Sequence, residues 1–218
     1  AGDTTFERRS QYGRIHLLAP TDLWNNKDAK GCFCHFIGWK SGVVKRVCRS
    51  TFRAESIGMT YGIEFGSFLR ATITELVKGI SLSRWESDAA HHMKHLWLTD
   101  CNSLFTYLTN PSTNGSEDKR LEIDLESLRE PLWTFTDGRP KDHLDEDQTD
   151  DVQWIDTSTM IVDPLTKNGG RGFEDRLVRT YTEGYLDLTP TAESQMRKLK
   201  ASKHRKRKPE LDDTQGET

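Results

Sequence analysis

Between residues 51 and 80 the chain carries a long amphipathic stretch, and that stretch limits the folds open to it. Ile57, Tyr61, Phe65, Phe68, Leu69, Leu76 and Val77 recur at spacings of three, four and seven, the period of a helix with one apolar face. Ser50 or Thr51 supplies a side-chain oxygen suited to the N-cap. Gly58 and Gly62 either weaken this helix or let another element pack close to it. A helix with a single apolar stripe needs a flat apolar partner, so the flanking sequence must provide strands.

It does. Residues 12–20 (YGRIHLLAP) contain Ile15, Leu17 and Leu18 and end at Pro20, which predicts a strand. A polar loop over residues 22–31 leads to a second strand at residues 32–40 (CFCHFIGWK); Ser41 and Gly42 turn the chain, and residues 43–47 continue it. Residues 95–98 form a third strand with Thr99 and Asp100 at its carboxyl end. A short helix over residues 103–108 closes at Asn110 and Pro111. Leu121, Leu125, Leu128, Leu132 and Phe135 place another helix over residues 117–135. Residues 152–155 form a strand, Gly169 and Gly170 break the chain, and residues 173–186 suit a last short helix. Trp39, Trp97 and Trp154 each sit in an apolar strand and are expected in the core. This order predicts an α/β fold with a mixed sheet flanked by helices.

The net charge of −3 hides strong segregation. Asp142, Asp145, Glu146, Asp147, Asp150 and Asp151 crowd an acidic insertion at about residues 139–151. Arg197, Lys198, Lys200, Lys203, Arg205, Lys206, Arg207 and Lys208 follow one another without an acid. Blocks of like charge repel themselves, so the expectation is one domain over residues 1–190 with a solvated acidic loop, then a disordered tail over residues 191–218. That tail suits phosphate contact, a nuclear-import signal or plain solvation. No apolar run approaches the roughly 18–20 residues that span a bilayer, and no signal-peptide pattern opens the chain. Cys32, Cys34, Cys48 and Cys101 form no CxxC pair and read as reduced, buried thiols. Together these features predict an intracellular protein, cytoplasmic or nuclear, rather than a secreted one.

Three acids hold suggestive places: Glu55 in the first turn of the long helix, Asp100 at a strand end, and Asp163 after the last strand. Singly each has a structural explanation in helix-dipole or turn chemistry. Spacing does not show that they converge. Asp22, after the apolar run of residues 15–18, is a rival strand-end acid, and Asp3 a weaker one. His91, His92 and His95 lack a carboxylate or cysteine partner in any recognised metal pattern and read as a polar loop entering a strand.

Trp39-Lys40-Ser41 and then Arg46-Val47-Cys48-Arg49-Ser50-Thr51-Phe52-Arg53-Ala54-Glu55 resemble the approach to the acidic helix of the ribonuclease H domain in copia-type retrotransposon polyproteins. Thr99-Asp100-Cys101-Asn102-Ser103 is similar to that family's strand-end aspartate element. Lys119-Arg120-Leu121-Glu122-Ile123 with Leu128-Arg129-Glu130 resembles its following helix, with Arg120 where a histidine is usual. Val162-Asp163-Pro164-Leu165-Thr166-Lys167 resembles the A-D-x-L-T-K signature. The likeness covers roughly residues 10–188.

This resemblance implies a ribonuclease H-like mixed sheet and a metal site built from Glu55, Asp100 and Asp163, holding Mg²⁺, with Mn²⁺ as the alternative ion. It implies hydrolysis of the RNA strand of an RNA–DNA hybrid, next to the reverse transcriptase region of the same polyprotein. Ser10-Gln11-Tyr12-Gly13 matches an element that follows the family's first catalytic aspartate, so that aspartate and its central strand are expected ahead of Ala1. Two other readings stay open. One is an inactive fragment of a decayed retroelement that at most binds nucleic acid through its basic tail; the other is a binding module built on that tail.

Overall fold

The long helix forms much as its periodicity predicts. In the computed structural model, which describes residues 10–48, 50–110, 118–134, 139–141, 148–166 and 173–207, it spans Thr51–Lys78, and the Ser50 hydroxyl accepts the Arg53 N–H as N-cap. In chain order the elements are β1 (Gln11–Leu18), α1 (Asp22–Asn25), β2 (Gly31–Phe33), β3 (His35–Val43), α2 (Thr51–Lys78), α3 (Trp85–His92), β4 (His95–Thr99) and α4 (Asn102–Thr109). There follow α5 (Lys119–Arg129), β5 (Trp133–Thr134), β6 (Arg139–Pro140), β7 (Asp150–Trp154), α6 (Phe173–Glu183), β8 (Tyr185–Asp187) and α7 (Ala192–Arg207). Short 3-10 turns occupy Thr157–Thr159 and Asp163–Leu165. The result is a mixed α/β fold with small sheets.

Two strand pairs organise it. β1 and β3 run antiparallel from Gln11↔Val43 to Leu18↔His35, with a bulge between His16 and Leu17. β4 and β7 run parallel from His95↔Asp150 to Thr99↔Trp154. β2 pairs with β8. Side chains of β4 alternate between two cores, as a pleated strand requires. Trp97 packs with Leu104, Leu108, Leu121, Leu125, Leu128 and Val152 under α4 and α5. Leu96 and Leu98 face the opposite core, built on Leu23, Ile155, Ile161, Leu186 and Leu188 with Ile15 and Leu17 of β1. Leu104, Leu108 and Leu125 are fully buried, and each such burial contributes about 1.5–3 kcal/mol.

Several expectations change. Residues 22–25 are helical (α1) rather than loop, and β3 continues through Ser41 and Gly42 to Val43. α5 stops at Arg129 because Pro131 follows and cannot continue the ladder. The helix expected over residues 173–186 ends at Glu183: Gly184, at φ 65°, reverses the chain directly into β8. His91 and His92 lie in the last turn of α3, not in a loop. Trp39 is 62% exposed because it shares the uncovered face of β3 with Ile37 and Val43, also exposed, whereas Trp97 is 4% exposed. Phe68, Leu76 and Val77 stay exposed although they share the helical spacing of α2. Asp150 and Asp151 are buried in β7, and residues 142–147 of the acidic stretch lie outside the described residues, as do Asp3, Gly169 and Gly170. The basic run is not a disordered tail along its first part, because α7 takes in Ala192–Arg207.

No helix among the described residues is long and apolar enough to cross a membrane.

Candidate active site

β1 and β4 face each other without touching as strands. β1 is hydrogen-bonded only to β3, and β4 only to β7, so among the described residues no ladder joins the two pairs. Between them lies a cleft of about 250 Å³, floored by α2 through Ala54, Glu55, Gly58 and Gly62.

The two strands run in opposite directions along it. At one end lies Gly13 of β1, whose backbone lies against Val162, Leu165 and Thr166, and β4 finishes at Thr99, just before Asp100. At the other end His16 of β1 and His95 of β4 come close enough for their charges to interact. An inserted extended segment would therefore be antiparallel to one neighbour and parallel to the other.

Glu55, Asp100 and Asp163 all line this cleft. Their placement follows from their elements: Glu55 stands in the second turn of α2, and Asp100 directly follows β4. Asp163 opens the 3-10 turn Asp163–Leu165 and is buried. The carboxylates thus gather at the carboxyl end of β4, the usual place for ligands on an open α/β sheet. Hard carboxylate oxygens suit Mg²⁺ or Mn²⁺ by donor type. Among the described residues, however, no three His, Cys, Asp or Glu side chains stand close enough together to hold a metal ion. The cleft collects the three carboxylates without assembling them.

Asp22 is not among the cleft's lining residues; it stands in the first turn of α1, beside a separate groove with Cys32. Cys34 is buried and the other three cysteines are half-buried, all as free thiols. Burial pushes the Cys32 and Cys34 thiols up.

The protein-family models, the curated proteins and the solved structures contain no match to this chain.

Behind His95, at the far end of the cleft, lies chemistry that no local motif announced. Asp150, the first residue of β7, is buried, with Arg70 of α2 at 3.3 Å and His95 Nδ1 at 3.2 Å, and it accepts the Thr149 hydroxyl at 2.7 Å. Burial pushes its carboxyl up, but His95, Arg70 and Thr149 outweigh that and hold it below the usual range. Burial, then the charges of Arg14 and His95, lower His16 to about 4. Its Nε2 is buried and makes no hydrogen bond within the described residues. Arg14 braces β1 on α2 by donating to the Tyr61 carbonyl at 2.6 Å and lying 4.0 Å from the Phe65 ring centre.

Near the carboxylate end, Trp154 donates its indole N–H to the Asp100 carbonyl at 3.1 Å. Two residues past β7, Asp156 is also buried. Its only local signal is the Asp-Thr-Ser sequence of a side-chain-capped turn.

Proposed function

We propose that this chain is a ribonuclease H-like unit of a retrotransposon polyprotein, built to hydrolyse the RNA strand of RNA–DNA hybrids. One observation carries the reading: Glu55, Asp100 and Asp163, far apart in sequence and singled out by the resemblance, line a single cleft at the carboxyl end of β4. The resemblance puts a fourth carboxylate ahead of Ala1. A strand reaching in from there would seat between β1 and β4 and draw the four groups together. Mg²⁺ bound by such a set would supply the charge that activates water and stabilises the leaving 3′ oxygen. The protein's own part is to hold the carboxylates on rigid supports: a helix turn for Glu55, a strand end for Asp100 and a Pro-stiffened turn for Asp163. Selection of RNA would rest on 2′-hydroxyl contacts across the wide minor groove.

The dispersed carboxylates favour a second reading, an inert fragment of a decayed element. A labelled RNA–DNA hybrid with Mg²⁺ separates the two, using the chain as given, a chain extended upstream, and the extended chain with Asp100→Asn. The enzyme reading expects cleavage by the extended chain and loss of at least about a hundredfold in Asp100→Asn, the order seen when one preorganised charge-stabilising group is removed. Cleavage that survives Asp100→Asn rejects the site, and an inactive extended chain supports the inert reading.

A further inference from the structure

α7 is a basic helix, exposed over most of residues 192–201 and fixed at its root by a buried acid. Asp156 is 6% exposed, and its carboxylate collects donors from two segments. From its own turn it accepts the Ser158 N–H at 2.8 Å and the Ser158 hydroxyl at 2.5 Å. From α7 it takes the Ser194 hydroxyl at 2.9 Å and the Lys198 ammonium at 2.5 Å. Ser194 and Lys198 are one helical turn apart and so share a face. The Ser158 hydroxyl also accepts the Thr191 N–H at 3.1 Å. A buried carboxylate with this many partners costs little to keep charged, whereas losing them would strand it.

The clamp sits beside the candidate site. Lys198 Nζ lies 4.4 Å from the Trp154 ring centre, and Trp154 in turn bonds the Asp100 carbonyl. One side chain therefore separates the root of α7 from a candidate catalytic acid. Beyond the root little is covered: the Arg197 side chain is 77% exposed, Met196 is 58% and Leu199 62% exposed, and Lys200 is exposed. The helix sequence runs on through Lys203, Arg205, Lys206 and Arg207, with no acid after Glu193. From Lys198 to Arg207 it advances about 14 Å. Arg197 pairs with Glu193 one turn back at 2.5 Å, and past that pair the helix sequence carries only cations, which in a chain of net charge −3 matches a dense polyanion. Met196 and Leu199 are too few to form the broad apolar face of a membrane-surface helix.

We propose that α7 is a nucleic-acid arm: its cations grip the phosphate backbone of a duplex, and Asp156, Ser194 and Lys198 are positioning residues that aim it across the Asp100 end of the cleft. This rests on the reading that nucleic acid is the substrate, but it is tested by binding rather than cleavage.

The experiment is fluorescence anisotropy of a labelled RNA–DNA hybrid in EDTA, titrated with the full chain across a KCl series. Arg197→Glu with Lys200→Glu should weaken binding at least about tenfold near 100 mM salt and reduce the slope of log affinity against log salt by about one for each phosphate that is no longer gripped. Ser194→Ala and Asp156→Asn leave those two cations in place yet should each weaken binding several-fold. Ser194→Ala touches only the α7 side of the clamp, so it keeps the test sound if Asp156→Asn disturbs folding. Unchanged affinity in the double reversal overturns the arm. Weaker binding in the reversal with no effect of either clamp variant overturns the positioning and leaves an untethered tail. Binding to phosphatidylserine vesicles in place of the hybrid overturns the choice of partner. Because the titration runs without metal, failure of the nuclease reading would show in the cleavage assay and leave these outcomes separate.

Discussion

Gly62 and Gly66 lie one turn apart on α2, yet alanine should act on them with opposite sign. In an exposed or open helical position Gly→Ala stabilises by about 0.5–1 kcal/mol, through backbone entropy and helix propensity. A methyl at Gly62 meets nothing within 4 Å, since it projects into the cleft. Gly62→Ala should gain that full amount. At Gly66 the methyl would overlap the His95 imidazole, 2.7 Å from Cε1 and closer still to Nε2. The ring cannot simply swing aside, because it faces the buried Asp150 carboxylate. Either His95 leaves Asp150, at about 1.5–3 kcal/mol for a charge-assisted contact, or α2 shifts, at about 1–3 kcal/mol for overpacking. The helix-propensity gain offsets part of this, so Gly66→Ala should destabilise by about 1–2 kcal/mol. The two variants should then differ by about 1.5–3 kcal/mol, or roughly 3–12 °C in melting midpoint for a chain of this size. Thermal melts followed by circular dichroism measure it. Equal shifts of the same sign would refute the packing of α2 on β4 on which the account depends. A second consequence concerns the cleft: in a chain extended upstream, a strand seated there would meet the Gly62 methyl, and Gly62→Ala should turn from stabilising to destabilising.

Other expectations follow from the same packing. His16 stays neutral down to about pH 4 in the fold, whereas a free imidazole takes its proton near 6.5. The unfolded chain therefore binds the extra proton, and stability should fall as pH drops from about 6.5 to 4. The full effect is at most about 3 kcal/mol, and about 1–2 kcal/mol after screening of the half-open ring; urea titrations of His16→Gln should lack that slope, and a variant that keeps it removes His16 as the cause. The depressed Asp150 carboxyl acts in the same direction at lower pH, because its stabilisation is present above the ordinary carboxylate range and is lost as pH falls below it. Leu125→Ala, at a fully buried position, should cost about 2–5 kcal/mol. Ile123→Ala, 69% exposed on the same helix, should stay within about 0.5 kcal/mol. Arg70→Met removes a cation from buried Asp150 and should cost about 3–5 kcal/mol, most of it recovered by adding Asp150→Asn; a double variant as unstable as the single would contradict the ion-pair account.

How much could be read ahead of the fold depended on the range of each interaction. α2 was legible because its apolar period repeats over many turns, and β4 because a short apolar run meets Asp100 at its end. α1 and β8, of four and three residues, are too short for any period to register. Like-charge repulsion predicted disorder over the basic run, and locally that reasoning holds. The helix is instead anchored by Asp156, which lies 42 residues before Lys198, and pattern in a window cannot see that distance. Trp39 misled for a related reason: apolar neighbours mark a strand but do not say which of its faces will be covered.

The candidate site divides along the same line. Nothing in the spacing of Glu55, Asp100 and Asp163 brought them together, so only the resemblance selected them, and the cleft that they share depends on tertiary packing. The composition of β1 nevertheless contained a hint. Ile15 and Leu17 face an apolar core, while Tyr12, Arg14 and His16 alternate with them toward α2. A strand buried on both faces would read as a continuous apolar run; this one carries a phenol, a guanidinium and an imidazole on the face over α2. Arg14 is satisfied by the Tyr61 carbonyl, whereas His16 Nε2 is buried without a hydrogen bond among the described residues. Polar side chains on that face, beside a strand edge with no ladder among the described residues, are what a cleft wall needs. The alternation in residues 12–17 thus marks β1 as the margin of a site, and its open edge toward β4 is the feature that the cleavage assay with an extended chain addresses most directly.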